Sequence, residues 1–285
     1  MHTFILIAKN VALEFWFFFG VLVTGGALLT FLARWTNNAC GQFIFPRVGF
    51  YLLGFIGIPI HEFSHAFFCR VFFHKIQKIK WFDPKGRGGS HGAVTHQFHT
   101  WNLYHRIGQF FIGLGPTILG PLILGALFYF LLPAGRSLFL TPIADISETI
   151  PVGIGFAKVV FNSANLTSPR FYIFLYLTIC ISSQIELSPD DIKQVATGVL
   201  PILLVLLVAN TASWALWGFN GGWHQRALTM STHFAALMTC LFTFATVLSV
   251  VTLIAVTSVF GLINVFSGHR GINPFLQKTG SAAED

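Results

Sequence analysis

Apolar residues along this chain gather in long runs that polar residues interrupt mainly at the ends, the pattern of helices apolar on every side rather than of half-buried strands. A helix that crosses a bilayer needs about 20 mainly apolar residues. Such runs stand at residues 11–33, 48–73, 108–132, 195–217 and 235–266, and a shorter one, 171–187, ends in polar residues. The pattern predicts an all-α polytopic membrane protein with about six transmembrane helices, residues 1–285 forming a single integral membrane domain. The shortest run predicts a span that is broken, tilted or partly re-entrant. Irregular backbone at membrane depth survives only where protein or a wet cavity surrounds it, so such a break is a place to look for a site.

The connections add direction. Residues 74–106 carry Lys75, Lys78, Lys80, Lys85, Arg87 and Arg106 against one acid, Asp83, and the positive-inside rule places this loop in the cytoplasm. With six spans, the N- and C-termini fall on the same side. Within the loop, FDPKGRGGSHGAVTHQFH places turn formers before a short alternating segment, which predicts a membrane-associated β-hairpin over residues 82–99. Residues 133–170 make the longest outer loop, with a partly apolar stretch from Pro151 to Phe161 and no domain of its own.

Composition sharpens the membrane reading. Of the 285 residues, 54% are hydrophobic and 9% charged, where a soluble domain carries roughly 25% charged residues. The 33 Phe and 7 Trp suit lipid contact and interfacial aromatic belts. The net charge of +7 is spread between spans rather than gathered on one polar face, so it reads as a topology signal and nucleic acid is not an expected partner. Cys40, Cys69, Cys180 and Cys240 show no paired spacing, which implies neither a disulfide framework nor a cysteine metal site. Lys9 and Glu14 interrupt the first apolar run, and no small-residue cleavage site precedes its continuation, so no cleaved signal peptide is expected.

The chemistry concentrates in FIGIPIHEFSHAFF. His61 and His65 are four apart and project from one helix face, so both imidazoles can reach one metal ion. Glu62 sits beside them, and in zinc hydrolases with this spacing that carboxylate takes a proton from the attacking water. Chance alone gives this pattern in roughly one chain in a hundred of this size and composition. Its position inside a span is the stronger argument, since ionisable groups there are costly and mark functional sites. The bland alternative is a polar patch that glues helices together.

The run IGIPIHEFSHAFFCRVFFHKIQKIKWF resembles the motif helix of the site-2 protease family of intramembrane zinc metalloproteases. In that family the motif helix is followed by a membrane-associated β-hairpin and a span containing Gly-Pro, and here GQFFIGLGPTILGP supplies Gly115 and Pro116. The resemblance implies a Zn2+ cofactor held by His61, His65 and an aspartate from a later span, with Glu62 catalytic. The family's usual Asn-x-x-Pro and Leu-Asp-Gly elements are missing. In their place stands SSQIELSPDDIK, similar to an LSxxD-type segment of divergent members, and it favours Asp191 over Asp190 as third ligand. Ser188, Pro189 and the acids also read as a helix cap, and Glu186 is a competing ligand. His91, His96, His99 and His105 offer a loop ligand or a second metal site, against the plainer reading of a wet interfacial loop. Cys69 shares the helix face of His65, as a ligand or as simple packing.

Three functions follow. The leading one is a zinc-dependent endopeptidase acting within or beside a partner's transmembrane helix, so its partners are a membrane-protein substrate and the lipid bilayer. The second is a non-proteolytic zinc-containing chaperone or scaffold for transmembrane helices. A metal-ion transporter is third, disfavoured because no second intramembrane charged cluster continues a path across the bilayer.

Overall fold

The computed structural model describes residues 2–84, 91–132, 146–160, 162–218 and 222–275. α1 (His2–Phe15) and α2 (Val21–Gly41) join through a π-helical turn, Trp16–Gly20, into one apolar rod. α3 (Pro46–Val71) starts on a proline, whose fixed φ and missing N–H suit a first turn. Two strands follow, β1 (Lys75–Lys80) and β2 (Ala93–Gln97). Next come α4 (Leu103–Gly113) and α5 (Gly115–Leu131), bent by 57° at their junction. The remaining described helices are α6 (Thr149–Val160), α7 (Ser163–Leu166), α8 (Pro169–Ser182), α9 (Pro189–Trp217) and α10 (Gly222–Phe266).

Among the described residues, four helical rods are long and apolar enough to cross a membrane, and the bent α4–α5 pair makes a fifth if counted as one span. Only 17% of the most apolar window of α9 and 22% of that in the last rod is buried, leaving Leu200, Val208, Ile254 and Leu262 facing outward. A continuous apolar exterior of this kind suits lipid rather than water, which marks an integral membrane protein.

Several boundaries differ from the sequence expectation. The shortest run does not form a helix long enough to cross a membrane by itself. Over 171–187 the chain makes the 14-residue helix α8 and then an extended segment, and 14 residues reach roughly 21 Å where the hydrocarbon core is about 30 Å thick. Asn273 and Pro274 bond to Gln42 and Asn38, at the far end of the α1–α2 rod from His2. The first strand also lies earlier than the 82–99 hairpin: KIQKIK pairs antiparallel with β2, Lys80 opposite Ala93 and Ile76 opposite His96, with an irregularity between Ile76 and Lys78. Four interleaved polar residues disguised that strand as a purely basic loop, and the turn formers belong to its connection. Lys85 and Arg87, like residues 133–145 of the outer loop, lie outside the described residues. The apolar stretch in that loop is helical, and Phe156 of α6 packs its ring 5.2 Å from Phe128 and 5.3 Å from Phe244.

Close helix contact brings the site elements together. A Cβ on Gly57 would meet the Cys180 carbonyl, so glycine lets α3 and α8 touch backbone to backbone, the usual means of tight packing where the hydrophobic effect is absent. A Cβ on Gly113 would come within 2.5 Å of the Asp191 carbonyl, and one on Gly115 within 3.0 Å of the Ser64 carbonyl. These glycines seat α4 and α5 against the backbone of the candidate site. Gly57→Val is expected to lower stability in detergent by about 1–3 kcal/mol, the usual cost of overpacking. Gly41→Ala, where an added Cβ meets nothing within 4 Å, is expected to keep the wild-type value. Thermal unfolding of the two variants side by side checks this, and equal losses would contradict the packing argument.

Candidate metal centre

His61 and His65 lie one turn apart on α3, and their Nε2 atoms are 3.1 Å from each other. Each ring is fixed from behind. His61 Nδ1 is 2.8 Å from the Gln184 carbonyl and His65 Nδ1 is 2.8 Å from the Ile112 carbonyl. A carbonyl only accepts, so each Nδ1 carries the proton and donates it, which leaves both Nε2 lone pairs aimed at the same point. Both carbonyls come from helix breaks. The helical donor to Ile112 would be the nitrogen of Pro116, which has no hydrogen. The donor to Gln184 would be Ser188, but α8 ends at Ser182 and Ser188 N–H donates to Asp191 Oδ2 instead, at 2.8 Å.

Asp191 completes the cluster. Its Oδ1 lies 3.4 Å from His65 Nε2 while its Oδ2 accepts from Ser188, and its own N–H donates to Ser188 Oγ at 3.2 Å. The choice between cap and ligand is therefore not exclusive, because one oxygen caps α9 and the other faces the histidines. Asp190 is exposed and pairs with Lys193. Glu186 stands apart from the cluster: it accepts from Arg34 Nε at 3.0 Å and from Asn37 at 3.2 Å. Arg34 also donates to the Leu187 carbonyl, Asn37 to that of Ser183, and the Leu187 N–H to Thr30. These five polar links fasten the segment between α8 and α9 to α2. Spacing in the sequence gave no sign of them, although a lone arginine at the end of a span asks for a partner.

His61, His65 and Asp191 offer donor atoms that all lie within 4.8 Å of one another. The edge of a tetrahedron with bonds of about 2.0 Å is about 3.3 Å, close to the 3.1 and 3.4 Å separations. Two imidazole Nε2 atoms and a carboxylate oxygen converge on one point. The donors therefore fit a small tetrahedral metal ion, with the ring-to-carbonyl bonds as the outer support such ligands usually have.

Glu62 is buried beside this cluster, and with His61 it borders a cavity of about 690 Å³ whose wall includes Phe50, His91 and Gly92. A Cβ on Gly92 would fall 2.5 Å from Glu62 Oε1, so only glycine lets the start of β2 lie this close. His91 is not a ligand here; its Nδ1 donates to the Asp83 carbonyl and its ring rests 4.1 Å from Phe50. His105 Nδ1 accepts from the His99 N–H. Among the described residues a second group of potential ligands consists of Cys69, His74 and His96. Cys69 thus belongs to that group and not to the first. Burial holds both imidazoles below the ordinary histidine range, His96 at about 4, with His74 and His65 nearby adding to its shift, so both rings are neutral at neutral pH. His74 was missed at the level of sequence, where it has no spacing signature; its nearness to Cys69 in the chain is the one signal that could have found it.

No family model, curated protein or solved structure matches this chain.

Replacing Pro116 with alanine restores an N–H that competes for the Ile112 carbonyl. Its expected effect is a metal affinity weaker by roughly 10- to 100-fold, the usual range for loss of an outer-shell partner. Zinc titration against a chromophoric chelator measures it, and an unchanged affinity would remove the ring-fixing role assigned to this break. Asp191→Asn is expected to reduce bound metal in the same assay, whereas Asp190→Asn is expected to leave it as it is.

Proposed function

We propose that this chain is a zinc-dependent intramembrane endopeptidase, a divergent relative of the site-2 protease family, hydrolysing a peptide bond within or beside a partner's transmembrane helix. One observation carries the reading: Glu62 stands on the same apolar helix as His61 and His65, two of the three clustered donors, and it borders a cavity. A structural ion has no use for a neighbouring carboxylate and is usually enclosed by four protein ligands. Zinc held by His61, His65 and Asp191 would supply Lewis-acid polarisation and a more acidic water.

The residues of the chain divide the remaining work. Glu62 takes the proton of the attacking water and returns it to the leaving amine, as general base and then general acid. Gly92 keeps β2 against that carboxylate. A transmembrane helix hides its carbonyls in its own hydrogen bonds, so a substrate must unwind before it reacts. β2 supports the unwound segment by accepting it as an added strand, with main-chain bonds giving affinity. The Lys-rich β1 supports a cytoplasmic position for this end of the molecule under the positive-inside rule.

Glu62→Gln is expected to abolish cleavage of a transmembrane-helix substrate in detergent or proteoliposomes, by at least about 100-fold, while bound zinc stays at the wild-type level. Loss of zinc in that variant would move Glu62 into the ligand set. Stoichiometric zinc without any cleavage in the wild type would favour a helix-binding chaperone or scaffold instead.

A further inference from the structure

We infer that Cys69, His74 and His96 form a second metal site, for a thiophilic ion of the zinc class, that fastens β2 to the end of α3. The inference stands apart from the peptidase reading. The three donor atoms lie within 4.8 Å of one another, and His74 Nδ1 is 3.1 Å from His96 Nδ1, again close to a tetrahedral edge of about 3.3 Å. His74 Nε2 lies 3.0 Å from the His105 carbonyl, which assigns the proton to Nε2 and leaves Nδ1 as a lone pair. This repeats the outer support seen behind His61 and His65. Cys69 and His74 are buried, as is Gln109, whose side-chain Nε2 lies 3.4 Å from His74 Nδ1.

The backbone is bent to make this group. α3 closes with Phe73 at φ 55, a left-handed conformation that helix ends ordinarily assign to glycine. The His74 N–H then reaches back to the Cys69 carbonyl at 2.8 Å, setting His74 beside Cys69. A phenylalanine in that region is costly unless its surroundings hold it there. On the other side, alternation along β2 puts Gly92 and His96 on one face. Gly92 meets Glu62 while His96 meets the Cys69 group, so the strand runs along α3 over these two points. An ion at the second point ties the strand that flanks Glu62 to the helix that carries it.

A thiolate and two imidazoles select zinc-like or cuprous ions over hard cations. Binding displaces the Cys69 thiol proton to solvent, one per ion, because a coordinating thiol is deprotonated. The plainer alternative is a hydrogen-bonded pair of histidines beside a packed thiol, with no ion.

Cobalt substitution separates the two. The full chain, purified in detergent and stripped of metal with a chelator, is titrated with Co2+ and followed by absorbance and elemental analysis. Two cobalt ions per chain and a thiolate-to-cobalt charge-transfer band in the near ultraviolet are expected. Cys69→Ser should lose the band and one ion, and His96→Gln should weaken the band-forming event at least tenfold. The double variant His61→Ala, His65→Ala should keep the band while losing the other ion, which separates failure of the first site from failure of this one. No thiolate band in the wild type, or a band that survives Cys69→Ser, overturns the proposal. Should Cys69→Ser elute as aggregate, the wild-type spectrum and His96→Gln still decide.

Discussion

Inside a bilayer a backbone carbonyl has no water to turn to, and the candidate metal centre is built on that constraint. Two helices are broken beside α3, one by Pro116 and one where α8 stops at Ser182. Each break leaves a carbonyl without its helical donor, Ile112 in one case and Gln184 in the other. The two histidines satisfy them. What would be a penalty in hydrocarbon becomes the device that sets the proton on Nδ1 and turns each Nε2 toward the common point.

The rest of the bundle serves to hold those breaks in place. Gly113 and Gly115 let the α4–α5 junction rest on the backbones of Asp191 and Ser64, where any side chain would push the carbonyls and rings apart. Beyond Gln184 the segment between α8 and α9 is extended, and Thr30, Arg34 and Asn37 of α2 hold it in place. Asp191 joins the two needs in one side chain, since its carboxylate both caps α9 and faces the histidines. Moving the cap would move the donor.

The face of α3 that carries His61 and His65 continues to Cys69, and β2 follows it from Gly92 at Glu62 to His96 near Cys69. A strand beside a buried carboxylate gives the cavity a wall with main-chain hydrogen-bonding groups, a feature that purely helical membrane bundles lack. The sheet has only two strands among the described residues, and a two-stranded sheet is weak by itself. Its position therefore depends on side-chain anchors at its ends.

The sequence by itself determined the membrane character and the helix bearing His61, Glu62 and His65. These are local properties, apolar run length and a spacing of four on a helix, whereas the preference for Asp191 over Asp190 came from the resemblance of SSQIELSPDDIK to a segment of divergent family members. The sequence predicted a broken, tilted or re-entrant sixth run and a hairpin over 82–99; the structure has a short helix ending in an extended segment and a strand that begins at Lys75. In both places polar residues sit in the apolar register, and run length cannot tell a span from a helix that stops partway. Only the tertiary structure decided which carbonyls face the histidine rings, that Glu186 pairs with Arg34 rather than joining the ligands, and that Cys69 groups with His74 and His96. Those pairings join residues far apart in the chain or across turns whose direction no spacing encodes, and they are fixed by the need to satisfy every buried polar group at once.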